Sequence, residues 1–339
     1  MILIDATYIH SHGGASILQA LINRLNQIES SNRKKINFLL DDRLDLNQLN
    51  GINSFEIQKI KASHFNRKKA YKAIYNKIEK VVCLSNVPPP VRINKQVYIY
   101  FHNLLLLKRK IIFSSFLFFF TSSLKFLYIR FYNSNRYNWV VQTMYMKEEL
   151  RNKLKVNPSM IMVLPFYEVE DIHFQHKDFN KNRLSFFCVT SNSKHKNLKK
   201  VIKSFLKSDF TEKEKVTLLI TTDGENIIYE NKNIKYVGYL SRNETIKTYS
   251  KSEYVIFPSL VESFGLPIIE GIKSGSNVLI SNIKSLKEIC KPSIVFDPLD
   301  EKDIIKAFKT ASDMSYQQNS MITIKNEINT FIKLIINDV

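Results

Sequence analysis

The sequence predicts an α/β protein built from two doubly wound parallel sheets in series, and three observations lead there. Short apolar runs rich in β-branched and aromatic residues alternate with longer amphipathic segments, the pattern of βαβ units. That rhythm runs through the first half of the chain and then starts again. A length of 339 residues is long for one core and suits two domains of about 150 residues each. With 44% hydrophobic and 12% aromatic residues the composition is that of a folded globular protein.

In the first half the strand candidates are 2–4, 36–40, 81–84, 97–101, 139–142 and 161–164, with helices such as 15–28 and 144–154 between them. The second half repeats the order with strands at 185–190, 216–221, 234–237, 254–257, 278–280 and 294–296. Between the halves, 166–183 is polar and charged without a sustained period and reads as a linker. The expected domains are therefore 1–165 and 184–315, followed by 316–339 as a C-terminal helix with the option of packing back on the first domain. The cysteines Cys83, Cys188 and Cys290 are odd in number and scattered, which indicates neither a disulfide framework nor a zinc knuckle.

The net charge is +19, and it is uneven. Residues 1–165 hold 25 Lys and Arg against nine Asp and Glu, whereas 166–339 hold 25 against 22. A Lys-rich coding bias would load both halves alike. The alternative is that the first half meets something anionic: nucleic acid, a phosphorylated acceptor or an acidic membrane surface. The opening MILIDATYIH reads as a strand with no cationic leader, so a cleaved signal peptide is not expected. The apolar segment 111–124 is shorter than the roughly 20 residues that span a bilayer.

FPSLVESFGLPIIEGIKSG, residues 257–275, holds the most informative chemistry. A buried strand at 254–257 leads into a loop, and Pro267 suits the first turn of a helix, in which Glu270 would also sit. A helix N-terminus offers backbone N–H groups to an anion, and Gly265 lets a ligand approach the main chain. Carboxylates beside a phosphate site are best used on hydroxyl donors, so Glu262 and Glu270 suggest a ribose diol and a sugar ring on either side of a diphosphate. A glutamate in a first helical turn is also favourable for the dipole alone.

Read further, EYVIFPSLVESFGLPIIEGIKSGSNVLIS resembles the donor-site signature of retaining GT-B glycosyltransferases of family 4, whose twin Rossmann-like domains face each other across a cleft. The likeness continues upstream through KYVGYLSRNETIKTYSKSEYVIFPS and FFCVTSNSKHKNLKKVIKSF; it covers 184–300 well and the first half loosely. The resemblance implies that Glu270 accepts hydrogen bonds from ribose hydroxyls and that Glu262 orients the sugar and supports the reacting centre. It also places the amides of Phe264, Gly265 and Leu266 along the sugar and diphosphate, and the main chain of Val237, Gly238 and Tyr239 next to the base.

A departing nucleoside diphosphate gathers negative charge and needs fixed donors. By the same resemblance, Lys196 in SNSKHKNLKK is the lysine that binds it. Many relatives carry an arginine six residues earlier, where this chain has Thr190. Thr190, Ser191 or Ser193 would then donate neutral hydrogen bonds, or Lys194 would reach in. His195 reads as a surface residue or a phosphate neighbour. The adjacent Asp41 and Asp42 do not make an Asp-x-Asp metal motif, so a reaction without metal or cofactor is expected.

In ATYIHSHGGASILQALI, Gly13 and Gly14 separate the first strand from the first helix. The resemblance implies that this Gly-Gly loop packs over the donor phosphates and sugar; His10 and His12 beside it are either acceptor contacts or passive loop residues. His102 follows a strand and is either a contact for sugar or acceptor or a packed, capping residue. The segment 104–132 mixes LLLL and SFLFFF with basic clusters. It is either core or an interfacial segment suited to a lipid-diphosphate acceptor.

The expected function is retaining transfer of a sugar from a nucleotide-diphosphate sugar to a growing surface polysaccharide or other glycan, with a lipid-linked acceptor favoured. The setting is cytoplasmic, with peripheral attachment to the inner membrane face as its variant. Two alternatives stand beside it. One is a sugar-nucleotide epimerase or non-catalytic partner on the same fold, which Thr190 keeps open. The other is a basic nucleic-acid-binding protein, disfavoured because no recognition motif is visible.

Overall fold

The strand β1 (Ile2–Ala6) is buried along its whole length, as a central strand of a parallel sheet must be. The computed structural model that contains it describes residues 1–10, 12–108, 116–168, 184–208, 210, 216–222, 229, 231–313 and 318–336. The chain divides into two compact units, Met1–Leu107 with Phe120–Glu168 and Lys325–Val339, and Lys108–Phe119 with Val169–Ile324.

The first unit's seven-stranded sheet has the order β3-β2-β1-β4-β5-β6-β7. Its other strands are β2 (Ile36–Asp41), β3 (Glu56–Ile60), β4 (Lys80–Cys83), β5 (Gln96–Phe101), β6 (Asn138–Val141) and β7 (Ile161–Val163), all paired in parallel. The helices are α1 (His12–Leu25), the single turn α2 (Ser30–Arg33), α3 (His64–Ile74), α4 (Phe116–Tyr132) and α5 (Met144–Leu154). Thr143 caps α5 by accepting from the Met146 amide.

Sequence reasoning omits β3. Its pattern EIQKI is mostly solvent-facing because it is an edge strand, so it lacks the apolar run that marks the others. Of the segment 104–132 the described residues divide between core and surface. Leu104, Leu106, Leu107, Phe126 and Ile129 are buried, whereas Phe120, Leu124, Leu127 and Phe131 face outward.

The second unit repeats the architecture with β8 (Leu184–Cys188), β9 (Val216–Ile220), β10 (Ile234–Tyr236), β11 (Tyr254–Phe257), β12 (Asn277–Ser281) and β14 (Ile294–Phe296) in the order β10-β9-β8-β11-β12-β14. All five pairings are parallel. Around this sheet run α6 (Leu198–Leu206), α7 (Arg242–Lys251), α8 (Leu266–Lys273), α9 (Lys284–Ile289) and α10 (Glu301–Ser312). Phe186, Phe205 and Phe308 meet edge to face at the centre of its core.

The chain end departs from the continuous helix expected over 316–336. Met321–Ile322 forms β15, antiparallel to β13 (Cys290–Lys291), and helix resumes only at α11 (Ile328–Ile336). The β-branched stretch MITI favours the short ribbon. α11 belongs to the first unit, where Phe331, Ile332 and Ile335 join Leu18, Leu21 and Ile22 of α1 in the core. Its carbonyl at Leu334 accepts from Nζ of the buried Lys80 at 2.8 Å. Most of the expected linker, 169–183, lies outside the described residues. Its first residue is not linker-like: Phe166 is fully buried and stacked on Phe331 at 5.1 Å.

Candidate functional site

In the second unit β8 and β11 are neighbours, but the chain leaves β8 in one direction along the sheet and β11 in the other. This is a topological switch point, and ligands of open α/β sheets bind outside the carboxyl ends of such strands. Lys196 comes from the segment after β8 and Glu262 from the segment after β11. Lys196 closes a 3₁₀ turn, Lys194–Lys196, ahead of α6 rather than starting the helix itself. The Leu260 amide donates to the His195 carbonyl at 2.7 Å and ties the two loops together.

Nζ of Lys196 stands 2.7 Å from Oε2 of Glu262 and 5.2 Å from the centroid of the Phe257 ring. Both side chains are about one-fifth exposed, at 22% and 17%. The carboxylate is held from several sides. Ser259 Oγ donates to Oε2 at 3.4 Å and the Ser263 amide to Oε1 at 3.2 Å, while Ser285 Oγ donates to the Glu262 carbonyl at 2.7 Å. Burial, and then the charge of Lys196, push the neighbouring His195 imidazole down to about 4, so it is neutral near pH 7.

Gly265 precedes α8 with φ +83°, in the left-handed region. A Cβ there would approach Leu286 Cδ2 to 3.1 Å and Ile268 Cδ1 to 3.2 Å. Pro267 occupies the first turn and carries no N–H, and the Ile268 amide donates to the Gly265 carbonyl at 2.9 Å. Glu270 lies one turn further in than expected, because the helix begins at Leu266; a first-turn dipole role is thereby removed. Its carboxylate is buried between Nη1 of Arg242, 3.2 Å from Oε1, and the Tyr249 hydroxyl, which donates to Oε2 at 3.4 Å.

Neither Arg242 nor Tyr249 was singled out from sequence. The available signal was the capping box formed by Ser241 and Glu244, which fixes the start of α7 and so places Arg242 in its first turn. Of the neutral donors expected in place of the missing arginine, Thr190 Oγ1 donates to the Ser191 carbonyl and Ser191 Oγ to Ser193 Oγ. At the end of β10 the Val237 amide donates to the Ile220 carbonyl, Gly238 has φ +69°, and Tyr239 is 71% exposed.

The first unit has its own switch point between β1 and β4, and a cavity of about 370 Å³ opens there. Tyr8, His10 and Gly14 line it from the β1 side, Ser85 and Asn86 from the β4 side, and His102 from the end of β5. The cavity wall is completed by His64 and by Leu124, Lys125 and Tyr128 of α4. Gly14 therefore belongs to this cavity, but Gly13 and Gly14 lie in the first turn of α1, which begins at His12, and not in a loop between strand and helix as expected. The side chain of His12 is not described.

Asn86 fixes the tautomer of His102. Its Oδ1 accepts from the His102 amide at 2.6 Å, so its Nδ2 faces Nε2 at 3.2 Å as the donor, and the ring proton is on Nδ1. Nδ1 is itself buried, and burial pushes the imidazole down to about 4. Elsewhere in this unit Arg67 and Asp5 form a fully buried ion pair at 2.7 Å. Tyr71 donates to the same Asp5 oxygen at 2.6 Å, and Arg67 also donates to the Pro88 carbonyl at 2.7 Å. His10 approaches the buried Asp41 at 3.9 Å, but Arg43 holds that carboxylate with two donors.

The structure thus joins Lys196 to Glu262, with Gly265 and Glu270 on the following helix, in one unit. It gathers His102, Gly14 and His10 around a cavity in the other. Among the described residues no group of three or more His, Cys, Asp or Glu is placed to hold a metal ion.

Residues 169–327 match the family model described as Glycosyl transferases group 1. This segment is similar to a group 1 glycosyltransferase domain. The serotype-specific mannosyltransferase WbdA of Escherichia coli is 36% identical over 77 residues, 22% of this chain and 9% of WbdA. The O-antigen chain mannosyltransferase RfbU of Salmonella typhimurium is 26% identical over 179 residues, 50% of this chain and 49% of RfbU. The chain thus spans at most about half the length of these relatives. Sucrose-phosphate synthase from Thermosynechococcus elongatus superposes with a TM-score of 0.69 at 14% identity, covering 99% of this chain and 94% of that one. With a Rossmann-like parallel sheet in each, the two units have the GT-B fold.

Proposed function

We propose that this chain transfers a sugar, with retention, from a nucleoside-diphosphate sugar to a growing surface polysaccharide carried on a lipid. The observation that supports this most is the Lys196–Glu262 pair at the β8/β11 switch point, one glycine loop before the buried Glu270. In this reading Lys196 and the amides of Phe264, Gly265 and Leu266, where the loop enters α8, take the diphosphate. Glu262 turns from the ammonium to the hydroxyls of the sugar. Glu270, aimed by Arg242 and Tyr249, accepts from the ribose diol, and the main chain of 237–239 meets the base.

The bond between the anomeric carbon and the diphosphate oxygen lengthens toward an oxocarbenium-like state. The leaving oxygen gains charge beside Lys196 and draws the proton of the attacking acceptor hydroxyl. The acceptor sugar occupies the first unit's cavity, where Asn86 Nδ2 keeps a second donor hydrogen beside His102 and Tyr8 and Tyr128 offer ring faces. No metal is required, because the cation and amides supply the charge stabilisation. The named relatives are mannosyltransferases, which favours a mannosyl donor. The reading places the chain in the cytoplasm, peripheral on the membrane's inner face.

The test is a thermal-shift screen of UDP-, GDP-, ADP- and dTDP-sugars followed by an assay for slow donor hydrolysis in buffer containing EDTA. Selective stabilisation by one nucleotide, with hydrolysis that survives EDTA, is expected. High, salt-dependent affinity for nucleic acid with no nucleotide bound would contradict it.

A further inference from the structure

The wall of the first unit's cavity gives protons and carries an ammonium that no carboxylate answers. Among the described residues that line it, Lys125 is the only Lys or Arg, and there is no Asp or Glu. Its Nζ stands 5.9 Å from the centroid of the Tyr8 ring and meets no carboxylate among the described residues. Asp5 of β1 and Asp41 of β2, both buried, are held by Arg67 and Arg43. Lys125 is exposed as a residue, yet desolvation, and then the charge of Arg43, push its pKa down. Ser85, 6% exposed, accepts from the Tyr8 amide at 3.3 Å, and no described residue accepts its own proton. Asn86, 8% exposed, keeps the second hydrogen of Nδ2. The Tyr128 hydroxyl accepts from Nη1 of Arg67 at 3.3 Å, which leaves its proton to give.

A neutral sugar hydroxyl both gives and accepts a proton, whereas a carboxylate only accepts, so donors grouped around one ammonium suit an acid. We propose that the acceptor sugar is a uronic acid whose carboxylate is taken by Lys125, Ser85 and Asn86. Tyr8 ties the first two together, through its amide to Ser85 and its ring beneath Lys125, and Asn86 follows Ser85 in the chain. A phosphate fits less well. It brings about two negative charges at pH 7, and the guanidinium groups of Arg43 and Arg67 that could balance the second are engaged by Asp41 and Asp5. A carboxylate brings one charge, which one ammonium matches, and the contact offsets the desolvation of Lys125. The assignment rests on the reading that this cavity holds the acceptor, and it adds the acceptor's chemical class.

The experiment titrates the full chain, with no donor present, against methyl glycosides that differ only in the substituent at the last ring-borne carbon: the uronide, the neutral hexoside and the hexoside phosphate, each in the gluco, galacto and manno series, read by ligand-detected NMR. One uronide is expected to bind about tenfold to a hundredfold more tightly than its neutral and phosphorylated counterparts, the gain from a charge-assisted contact. Lys125→Gln should abolish that preference and Lys125→Arg should retain most of it, a pair of outcomes that a merely structural lysine would not give. Should Lys125→Gln not fold, Ser85→Ala carries the same test through a smaller preference. Titration of nucleoside diphosphates in parallel keeps the two readings apart: a parent that binds nucleotide but no uronide retains sugar transfer and loses this assignment. Equal binding of uronide and neutral hexoside, tighter binding of the phosphate, or a preference that survives Lys125→Gln overturns the inference.

Discussion

Nζ of Lys196 and Oε2 of Glu262, 66 residues apart in sequence, meet at 2.7 Å where β8 and β11 diverge. As a structural ion pair this contact is worth little, because both groups are partly solvated and such pairs contribute about 0–1 kcal/mol. As a diphosphate and sugar site it is worth far more, since losing one preorganised group at a centre of developing charge typically costs about 10²–10³ in rate. Glu262→Ala and Lys196→Ala are therefore expected to melt within a few degrees of the parent while losing donor hydrolysis by roughly those factors. Parallel loss of stability and activity would assign the pair to the fold instead.

Gly265 offers a backbone test. At φ +83°, with Leu286 and Ile268 close to where a Cβ would stand, alanine is strained by conformation and by contact. Gly265→Ala should lower stability by about 1–3 kcal/mol and weaken nucleotide-sugar binding in titration calorimetry. Gly13→Ala, inside α1 with nothing within 4 Å of the added Cβ, is the control and should not lower the melting temperature.

Parallel-sheet strands were the most legible part of the fold, since strands buried on both faces need uninterrupted apolar runs. The bounds 254–257 read from sequence coincide with β11, which is buried at every position. The β3 edge escaped because EIQKI faces water, and the chain end was misjudged because MITI forms a two-residue ribbon between helical patterns. Local pattern could identify Glu262, Gly265 and Glu270, which share one β-loop-α unit. It could not pair Arg242 with Glu270, or Asp5 with Arg67, because ion pairs between distant segments leave no periodic trace.

The Asp5–Arg67 pair gives the strongest stability prediction. Both side chains are fully buried, and Asp5 also accepts from Thr7 and Tyr71. Removing one partner leaves a buried charge uncompensated, so Arg67→Ala should cost about 3–5 kcal/mol in urea unfolding. A change within 1 kcal/mol, roughly that of a surface pair, would contradict the assignment.

His102 and His195 set a pH dependence with a definite sign. Burial lowers both pKa values to about 4, below the 6.5 of an unfolded histidine. In the window between, the unfolded chain binds protons that the folded chain does not, so stability rises with pH. The stabilisation is fully present above about pH 6.5 and is lost as pH falls toward 4, by up to about 1.4 kcal/mol per pH unit for each ring. Melts between pH 4.5 and 7.5 should show this slope, and His102→Gln should flatten it. A slope unchanged in that variant would show that His102 does not carry it.

The central claim is that Lys196 and the start of α8 hold a nucleoside diphosphate. Titration calorimetry of the preferred nucleoside diphosphate against the parent, Lys196→Ala and Arg242→Ala measures this without any acceptor. Lys196→Ala is expected to weaken binding about tenfold to a hundredfold, the loss of a charge-assisted contact of about 1.5–3 kcal/mol, and Arg242→Ala to weaken it less by loosening Glu270. Equal affinities for all three proteins, or no nucleotide binding by the parent, would contradict the account.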